Sequence, residues 1–414
     1  MRVLLVSCVF PPELVVSSKT SVHIAQEIVA RGHALTVITS FPSKPAGKLN
    51  PGYSRRLFTR KQAPEGFMLV RCFSFLSSKS RLLNRFIENF SFGLISGVAV
   101  LFSTRPDVIY SNSWPVFATG MLFMVAKVRR IPFVISVQDI YPESLISQGR
   151  AVAKNLFMNW LRWWDGVIAR GSRAVIVISE RFADFYRTER RVPKERVHVV
   201  PNWGDDRAES LDAERITRFR KAKKIPGNAR VFVYGGNIGV AAGVETIVEA
   251  ALKVETAEVF RLLIAGAGSQ LQACKDLARG QVDGRVIFHS PWHPEETDLV
   301  LNLAEVLLLP TRGQQAYVSV PSKLISYWLA SRPVIALAWS QSTLADFVEQ
   351  SGGGWLVEPD RPDLLAAKIQ EVLSLSPDEL RRRGKAGRDF AARNLTREIC
   401  LPRVVNILEQ GAVK

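Results

Sequence analysis

Arg230-Val231-Phe232-Val233-Tyr234-Gly235-Gly236-Asn237-Ile238-Gly239 is the stretch on which the reading of this chain turns. A short apolar run ends in a glycine cluster, and a helical pattern follows over Gly243–Val254. Strand, Gly-rich turn and helix open a doubly wound α/β unit, in which ligands sit outside the carboxyl ends of the strands. Glycines let backbone N–H groups approach an anion, and the following helix N-terminus adds a favourable dipole. The spacing is not G-x-G-x-x-G, so it is not a dinucleotide fingerprint. The same residues also suit a tight strand-to-helix turn that holds nothing.

The pattern extends in both directions. Downstream, strands are expected at Phe260–Ala265, Val286–His289, Val306–Leu309 and Pro333–Ala336, and a basic helical segment at 376–410. Upstream, Val3–Val9 reads as a buried strand, Thr20–Ala30 as an amphipathic helix and Leu35–Thr39 as the next strand. Further strands fall at Met68–Phe73, Val108–Ser111, Phe133–Val137 and Ala174–Ser179, while 43–66 reads as a loop or an excursion from the sheet. Short apolar strands alternating with helices imply parallel sheets covered on both faces. Pro201-Asn202-Trp203-Gly204 punctuates the chain. The expected architecture is therefore two doubly wound, Rossmann-like domains facing a cleft, at 1–200 and 201–390, with a terminal helix at 391–414.

The chain has 414 residues, 47% hydrophobic and 22% charged, enough for two or three ordinary domains and incompatible with a disordered or collagenous protein. Its four cysteines stand far apart, which excludes a disulfide scaffold or zinc module and fits a reducing compartment. The N-terminal apolar run ends in Pro11-Pro12-Glu13 without a small-residue cleavage site and is not read as a signal peptide. No transmembrane segment is expected, because the longest uncharged stretch, Val108–Ala126, breaks into a strand and a helix at Asn112 and Pro115. Residues 1–200 hold 28 basic and 12 acidic residues, a balance of +16, against 27 and 26 in the remainder. The first half therefore either carries a solvated basic surface or faces an anionic partner, a membrane leaflet or a nucleic acid.

Candidate functional residues sit where strands end. Gly266-Ala267-Gly268-Ser269 is a second Gly-rich turn after a strand. Val320-Pro321-Ser322-Lys323 opens a helix that Ser322 can cap, leaving Lys323 in a first turn whose dipole disfavours a cation. An anionic ligand would account for that placement; a solvated lysine is the alternative. Arg312 is a weaker candidate of the same type. Val137-Gln138-Asp139-Ile140-Tyr141-Pro142-Glu143-Ser144 offers Asp139 or Glu143 as a general base or a partner for a sugar hydroxyl, although Asp139 could equally cap a helix. Glu13 is poised similarly after the first strand. The chain has no Asp-x-Asp, so an acidic pair holding a divalent ion on a diphosphate is not expected, and its five histidines show no ligand spacing.

Taken together, these residues resemble the retaining glycosyltransferases of family 4, with the GT-B fold, and more narrowly the branch that builds bacterial O-antigen, capsule and exopolysaccharide chains. The resemblance covers essentially the whole chain. It rests on Phe10-Pro11-Pro12-Glu13, Ala30-Arg31-Gly32-His33, Val137-Gln138-Asp139 with Pro142-Glu143-Ser144, Pro201-Asn202-Trp203, Gly235-Gly236-Asn237-Ile238-Gly239, Gly266-Ala267-Gly268 and Pro321-Ser322-Lys323. It implies a nucleoside-diphosphate sugar, UDP-linked, on the second domain, a lipid-linked saccharide acceptor on the first, retention of configuration, no metal, and a final helix that crosses back onto the first domain. Gly236, Asn237 and Gly239 with Ser322 and Lys323 would hold the diphosphate, and Gly266, Gly268 and the backbone near Pro291-Trp292 the base. Glu13, Gln138, Asp139 and Glu143 would face acceptor or sugar.

The chain also departs from the family pattern. Val15-Val16-Ser17-Ser18 stand where many relatives have two glycines, and Gln138 stands where many have a histidine that could act as a base. Asn237 and Ala242 replace an arginine and a lysine, and Val318 and Ser326 replace a pair of glutamates eight apart. Neutralisation of the diphosphate then falls on Lys323, Arg312 and backbone N–H groups.

If the acceptor is lipid-linked, the first domain is expected to lie on the anionic inner face of the cytoplasmic membrane. Arg55, Arg56, Arg60, Lys61, Lys79, Arg81 and Arg85, interleaved with Tyr53, Leu57, Phe58, Leu82, Leu83 and Phe86, suit that contact. A sugar-nucleotide 2-epimerase is the rival enzyme. A nucleic-acid-binding protein is the rival class, and no nucleic-acid-binding module accompanies the positive charge.

Overall fold

In the computed structural model, which describes residues 1–13, 16–43, 47–76, 82–147, 156–206, 213–281, 284–312 and 322–412, the chain divides into two compact units. Met1–Pro201 together with Glu398–Lys414 forms one unit, and Asn202–Arg397 forms the other.

In the first unit the strands are β1 (Arg2–Val6), β2 (Ala34–Ser40), β3 (Phe58–Gln62), β4 (Met68–Cys72), β5 (Val108–Asn112), β6 (Phe133–Val137), β7 (Ala174–Val177) and β8 (Val197–Val199). They lie in the order β3-β4-β2-β1-β5-β6-β7-β8, all parallel except β3. The segment 43–66, read as a loop or an excursion from the sheet, thus contains a strand of that sheet. β3 pairs antiparallel with β4 at the sheet edge and carries Phe-Thr-Arg-Lys-Gln with four of five side chains exposed. A charged, exposed edge strand is how sheets avoid pairing with other chains, and it leaves no apolar alternation to read.

The second unit follows the same plan with β9 (Arg230–Gly235), β10 (Phe260–Ala265), β11 (Val286–His289), β12 (Val306–Leu309), β13 (Val334–Leu337) and β14 (Gly354–Val357), ordered β11-β10-β9-β12-β13-β14 and wholly parallel. Successive side chains of a strand point to opposite faces. Accordingly Val231, Val233, Leu307 and Leu309 join one buried cluster, and Phe232, Tyr234, Leu262 and Leu308 join the other. Each such side chain, fully buried, stabilises the fold by roughly 1.5–3 kcal/mol. The order reverses direction between β9 and β12, and in open α/β sheets that switch point is where a crevice opens at the strand ends.

The terminal segment is two helices rather than one, Pro377–Asn394 and Arg397–Ala412. The second lies on the first unit: Arg31 donates to Asn406 Oδ1 (2.6 Å) and to the Pro402 carbonyl (3.1 Å), and His33 Nε2 lies 2.8 Å from Glu409.

Candidate functional site

Two loops crown the second sheet at its switch point. The chain leaves β9 through Gly236 (φ 152°), whose N–H donates to the Ala265 carbonyl at 2.8 Å; Ile238 N–H donates to the Ala267 carbonyl at 2.9 Å. The loop after β10 lies against it. A Cβ at Gly266 (φ 147°) would run into the Gly236 carbonyl, so the two backbones meet at a distance only glycine permits. The Asn237 side chain fills the space beside Gly239 and Gly268.

Lys323, the first residue of the helix Lys323–Leu329, closes this crown. Its ammonium donates to Tyr234 Oη at 3.1 Å and stands 5.0 Å from the centre of that ring. The Tyr234 hydroxyl in turn donates to the Asn237 carbonyl at 2.7 Å. The side chain lies in the space that a Cβ at Gly236 would take. One turn on, buried Tyr327 spans the end of β9: its hydroxyl accepts from Gly235 N–H and donates to the Gly235 carbonyl, both at 3.0 Å. Burial lowers the Lys323 pKa from its ordinary value to about 8 and raises those of both tyrosines. Among the described residues no carboxylate pairs with Lys323. A desolvated ammonium without a counter-charge among the described residues, beside glycine backbone, is an arrangement able to hold an anion.

The remaining sequence candidates of this unit fall as follows. Ser322 precedes the helix with helical backbone angles and makes no capping bond through its side chain, so the expected cap is absent. Pro321 and Val318 lie outside the described residues, and Ser326 is exposed. Arg312 packs beside Gly243 (φ 62°), the residue before the helix Val244–Lys253, and its guanidinium lies 3.5 Å from Asp360. Pro291 is exposed, and the Trp292 ring packs against Gly235.

A further cluster, missed in the sequence, lies below this rim. Buried His289 has Nε2 3.0 Å from Glu296 and Nδ1 2.8 Å from Lys223 Nζ, with Phe219 edge-on. Glu296 lies seven residues from His289, but the contact to Lys223 spans 66 and leaves no local signal.

In the first unit the loops after β1, β2 and β6 carry the candidates. Glu13 is buried and accepts from Phe10 N–H (3.3 Å) and Ser43 N–H (2.9 Å). Buried Arg71 reaches the Ser40 and Pro11 carbonyls of the same loops. Glu13 is therefore a brace between loops. Gln138 Nε2 lies 3.4 Å from Ser136 Oγ. Asp139 is exposed by area, yet the desolvation around it pushes its carboxyl above the usual range.

Glu143 begins the helix Glu143–Ser147, and both its oxygens are taken, by Arg190 (2.7 Å) and Arg162 (3.3 Å). Arg190 also pairs with buried Asp165 at 2.7 Å and donates to the Tyr141 carbonyl at 3.3 Å. Glu143 thus belongs to a structural ion-pair network, which leaves Asp139 as the carboxylate of this loop open to a ligand.

Residues 17–203 match the family described as Glycosyl transferase 4-like domain, and 229–375 match Glycosyl transferases group 1. The chain is 23% identical, over 98% of its length and 99% of the relative's, to WcaI of Escherichia coli strain K12, named for glycosyl transfer in colanic acid biosynthesis. Among solved structures, Anabaena HepE in complex with UDP superposes with a TM-score of 0.72 at 13% identity, covering 99% of this chain and all of that one. WaaG, a glycosyltransferase involved in lipopolysaccharide biosynthesis, superposes at 0.69 with 15% identity, covering 98% and 99%.

Proposed function

This chain belongs to the family 4 glycosyltransferases of the GT-B fold, and from that premise we propose that it transfers a sugar from a UDP-linked donor to a lipid-linked saccharide with retention of configuration, in the building of a bacterial surface polysaccharide. The observation that carries the reading is the desolvated ammonium of Lys323 beside Gly236, which no carboxylate among the described residues neutralises. HepE, similar in fold, is solved in complex with UDP, and WcaI, similar in sequence, is named for glycosyl transfer in colanic acid biosynthesis; both support the reading.

In the proposed reaction the bond from the sugar to the diphosphate breaks, and negative charge grows on the leaving phosphate oxygens. Lys323 and the N–H groups around Gly236, Asn237 and Gly239 provide fixed positive charge at that place, which lowers the barrier because no solvent need reorganise. We assign neutralisation to these groups without a divalent ion, with Arg312 and Ser322 as further donors to the diphosphate. Gly266, Gly268 and the Pro291-Trp292 backbone face the base. A nearby phosphate raises the pKa of the lysine and so keeps it protonated through turnover. Asp139, its carboxyl pKa raised by desolvation, takes the part facing the transferred sugar or the acceptor hydroxyl, with Gln138 beside it. The enzyme works on the inner face of the cytoplasmic membrane, where Arg55, Arg56, Arg60 and Lys61, all exposed, meet anionic lipid. Lys79 and Arg81 of the same expected surface lie outside the described residues, as do the side chains of Leu82, Leu83 and Arg85.

Thermal shift over a panel of nucleotide sugars identifies the donor, since a ligand bound to the folded state raises Tm by mass action. Turnover with that donor is then compared in Lys323→Ala; the proposal requires a strong loss of rate, and an unchanged rate removes it. Incubating the donor without acceptor separates transfer from epimerisation, which needs none.

A further inference from the structure

Three parallel helices of the first unit, Leu82–Leu101, Val116–Val128 and Leu156–Gly171, turn an apolar face to water. A helix on a soluble surface carries charges on its outer side. Here the only charged residue from 86 to 104 is Glu88, and it is buried. Phe90, Leu94, Met124, Trp160 and Trp163 expose between 42% and 56% of their surface, and Val128 exposes 75%. Between the helices runs a groove of about 330 Å³ lined by Phe90, Gly93, Leu94, Gly97, Met124 and Trp164. A Cβ at Gly93 would collide with the Ala118 backbone and one at Gly120 with the Trp164 indole, so the groove keeps its form only with glycine at those positions. Beside it the rings of Phe90, Phe86, Phe117, Trp160, Trp164 and Trp163 form a row, each 4.7–6.2 Å from the next.

The rim of this face carries the opposite chemistry. Arg129 donates to the Val100 carbonyl at 2.6 Å and Arg105 to the Arg130 carbonyl at 2.7 Å, which gathers Arg105, Arg129 and Arg130, with exposed Lys127, where two of the helices end. An apolar floor, aromatic rings with a polar edge and a cationic margin match the acyl region, interface and headgroups of an anionic bilayer. A second copy would offer this margin no exposed acidic patch from the described residues of the same three helices, where Glu88 and Asp165 are buried, whereas an anionic bilayer offers a complementary charge.

We infer that this three-helix face is an interfacial membrane-docking surface and that its groove seats one hydrocarbon chain of a lipid. The chemistry is a hydrocarbon chain beneath an anionic headgroup. This deepens the membrane part of the proposed function and rests on that reading for its biological setting. It places the principal contact on 86–101, 116–130 and 156–164, with the basic strand β3 contributing charge.

The test uses the full chain, vesicles of phosphatidylglycerol and phosphatidylethanolamine with and without brominated acyl chains, and the variants Leu94→Glu and Trp163→Glu. Both substituted positions are exposed, and thermal unfolding verifies the fold. The expected result is co-sedimentation at low salt, quenching of tryptophan fluorescence by the brominated chains, and at least about tenfold weaker vesicle affinity in each variant. The UDP-induced rise in Tm stays unchanged in both. Binding without quenching, or binding indifferent to both substitutions, overturns the inference. So does a concentration-dependent dimer, seen by analytical ultracentrifugation, that the substitutions dissolve. The vesicle assay contains no nucleotide: vesicle docking without any nucleotide-sugar response sinks the proposed transfer alone, and a nucleotide response without docking sinks this inference alone.

Discussion

Replacing Arg190 with methionine removes one partner of a buried ion pair and leaves the other in place. The guanidinium side chain is 5% exposed and Asp165 is 4% exposed, 2.7 Å apart. Removing one member of such a pair typically costs about 3–5 kcal/mol, because the remaining charge stays in a medium that solvates it poorly. Burial already raises the Asp165 pKa, and Arg190 opposes that rise. Without Arg190 the pKa climbs further, and the carboxyl can relieve its cost by taking up a proton.

The sign of the pH dependence follows from proton counts. Between the wild-type and variant pKa values the folded variant binds more protons than the folded wild type, so the variant recovers stability as pH falls and loses it as pH rises. The difference shrinks by about 1.4 kcal/mol per pH unit within that window. Urea unfolding of both proteins at several pH values between 5.5 and 8.5 gives the difference directly. A penalty below about 1 kcal/mol, or one that does not narrow towards acid, refutes the reasoning. Because Arg190 also holds the Tyr141 carbonyl and Glu143, turnover should fall in the variant with little change in UDP affinity.

Three further outcomes are expected. Tyr327→Phe leaves Gly235 N–H and C=O without their partner and should lower stability by about 1–3 kcal/mol, read by chemical denaturation; no loss means another group replaces the hydroxyl. Gly266→Ala forces a side chain into the Gly236 carbonyl and should separate the two crown loops, abolishing the UDP-induced rise in Tm while the first unit keeps its fold; a full response denies the loop contact a role in binding. Raising pH through about 8 deprotonates free Lys323, so UDP affinity measured by calorimetry should decline above that pH in the wild type and stay level in Lys323→Met; parallel profiles assign the titration elsewhere.

The sheets were readable because both faces of each are covered. Val, Ile, Leu and Phe then fill the strands without interruption, as in Val231–Tyr234 and Leu262–Ile264, and glycines mark where each run ends. Of the four edge strands only β11, apolar at Val286–Phe288, was read; the other three were lost. β3 consists largely of exposed polar residues, β8 has three residues, and β14 begins with Gly354.

At the candidate site, the glycines and Lys323 could be named from position along the chain, since backbone conformation and a helix first turn are local properties. What gives Lys323 its character is not local. Tyr234 lies 89 residues away, and the bond from Tyr327 to Gly235 spans 92. For the same reason Glu13 and Glu143 looked available in the sequence: nothing near them announces Ser43, Arg162 or Arg190 as partners. The apolar face of the three helices was equally hidden, because helix Leu156–Gly171 joins the other two only in the folded unit.

Titration of UDP into wild-type protein and Lys323→Met, with EDTA present, by calorimetry in buffers of differing ionisation enthalpy, bears most directly on the crown of the second sheet. Binding that persists in chelator, uptake of a fraction of a proton near pH 8 and about 10- to 100-fold weaker affinity in the variant are expected from the loss of one charged hydrogen bond. Equal affinity in the two proteins, or binding that chelator abolishes, contradicts the account.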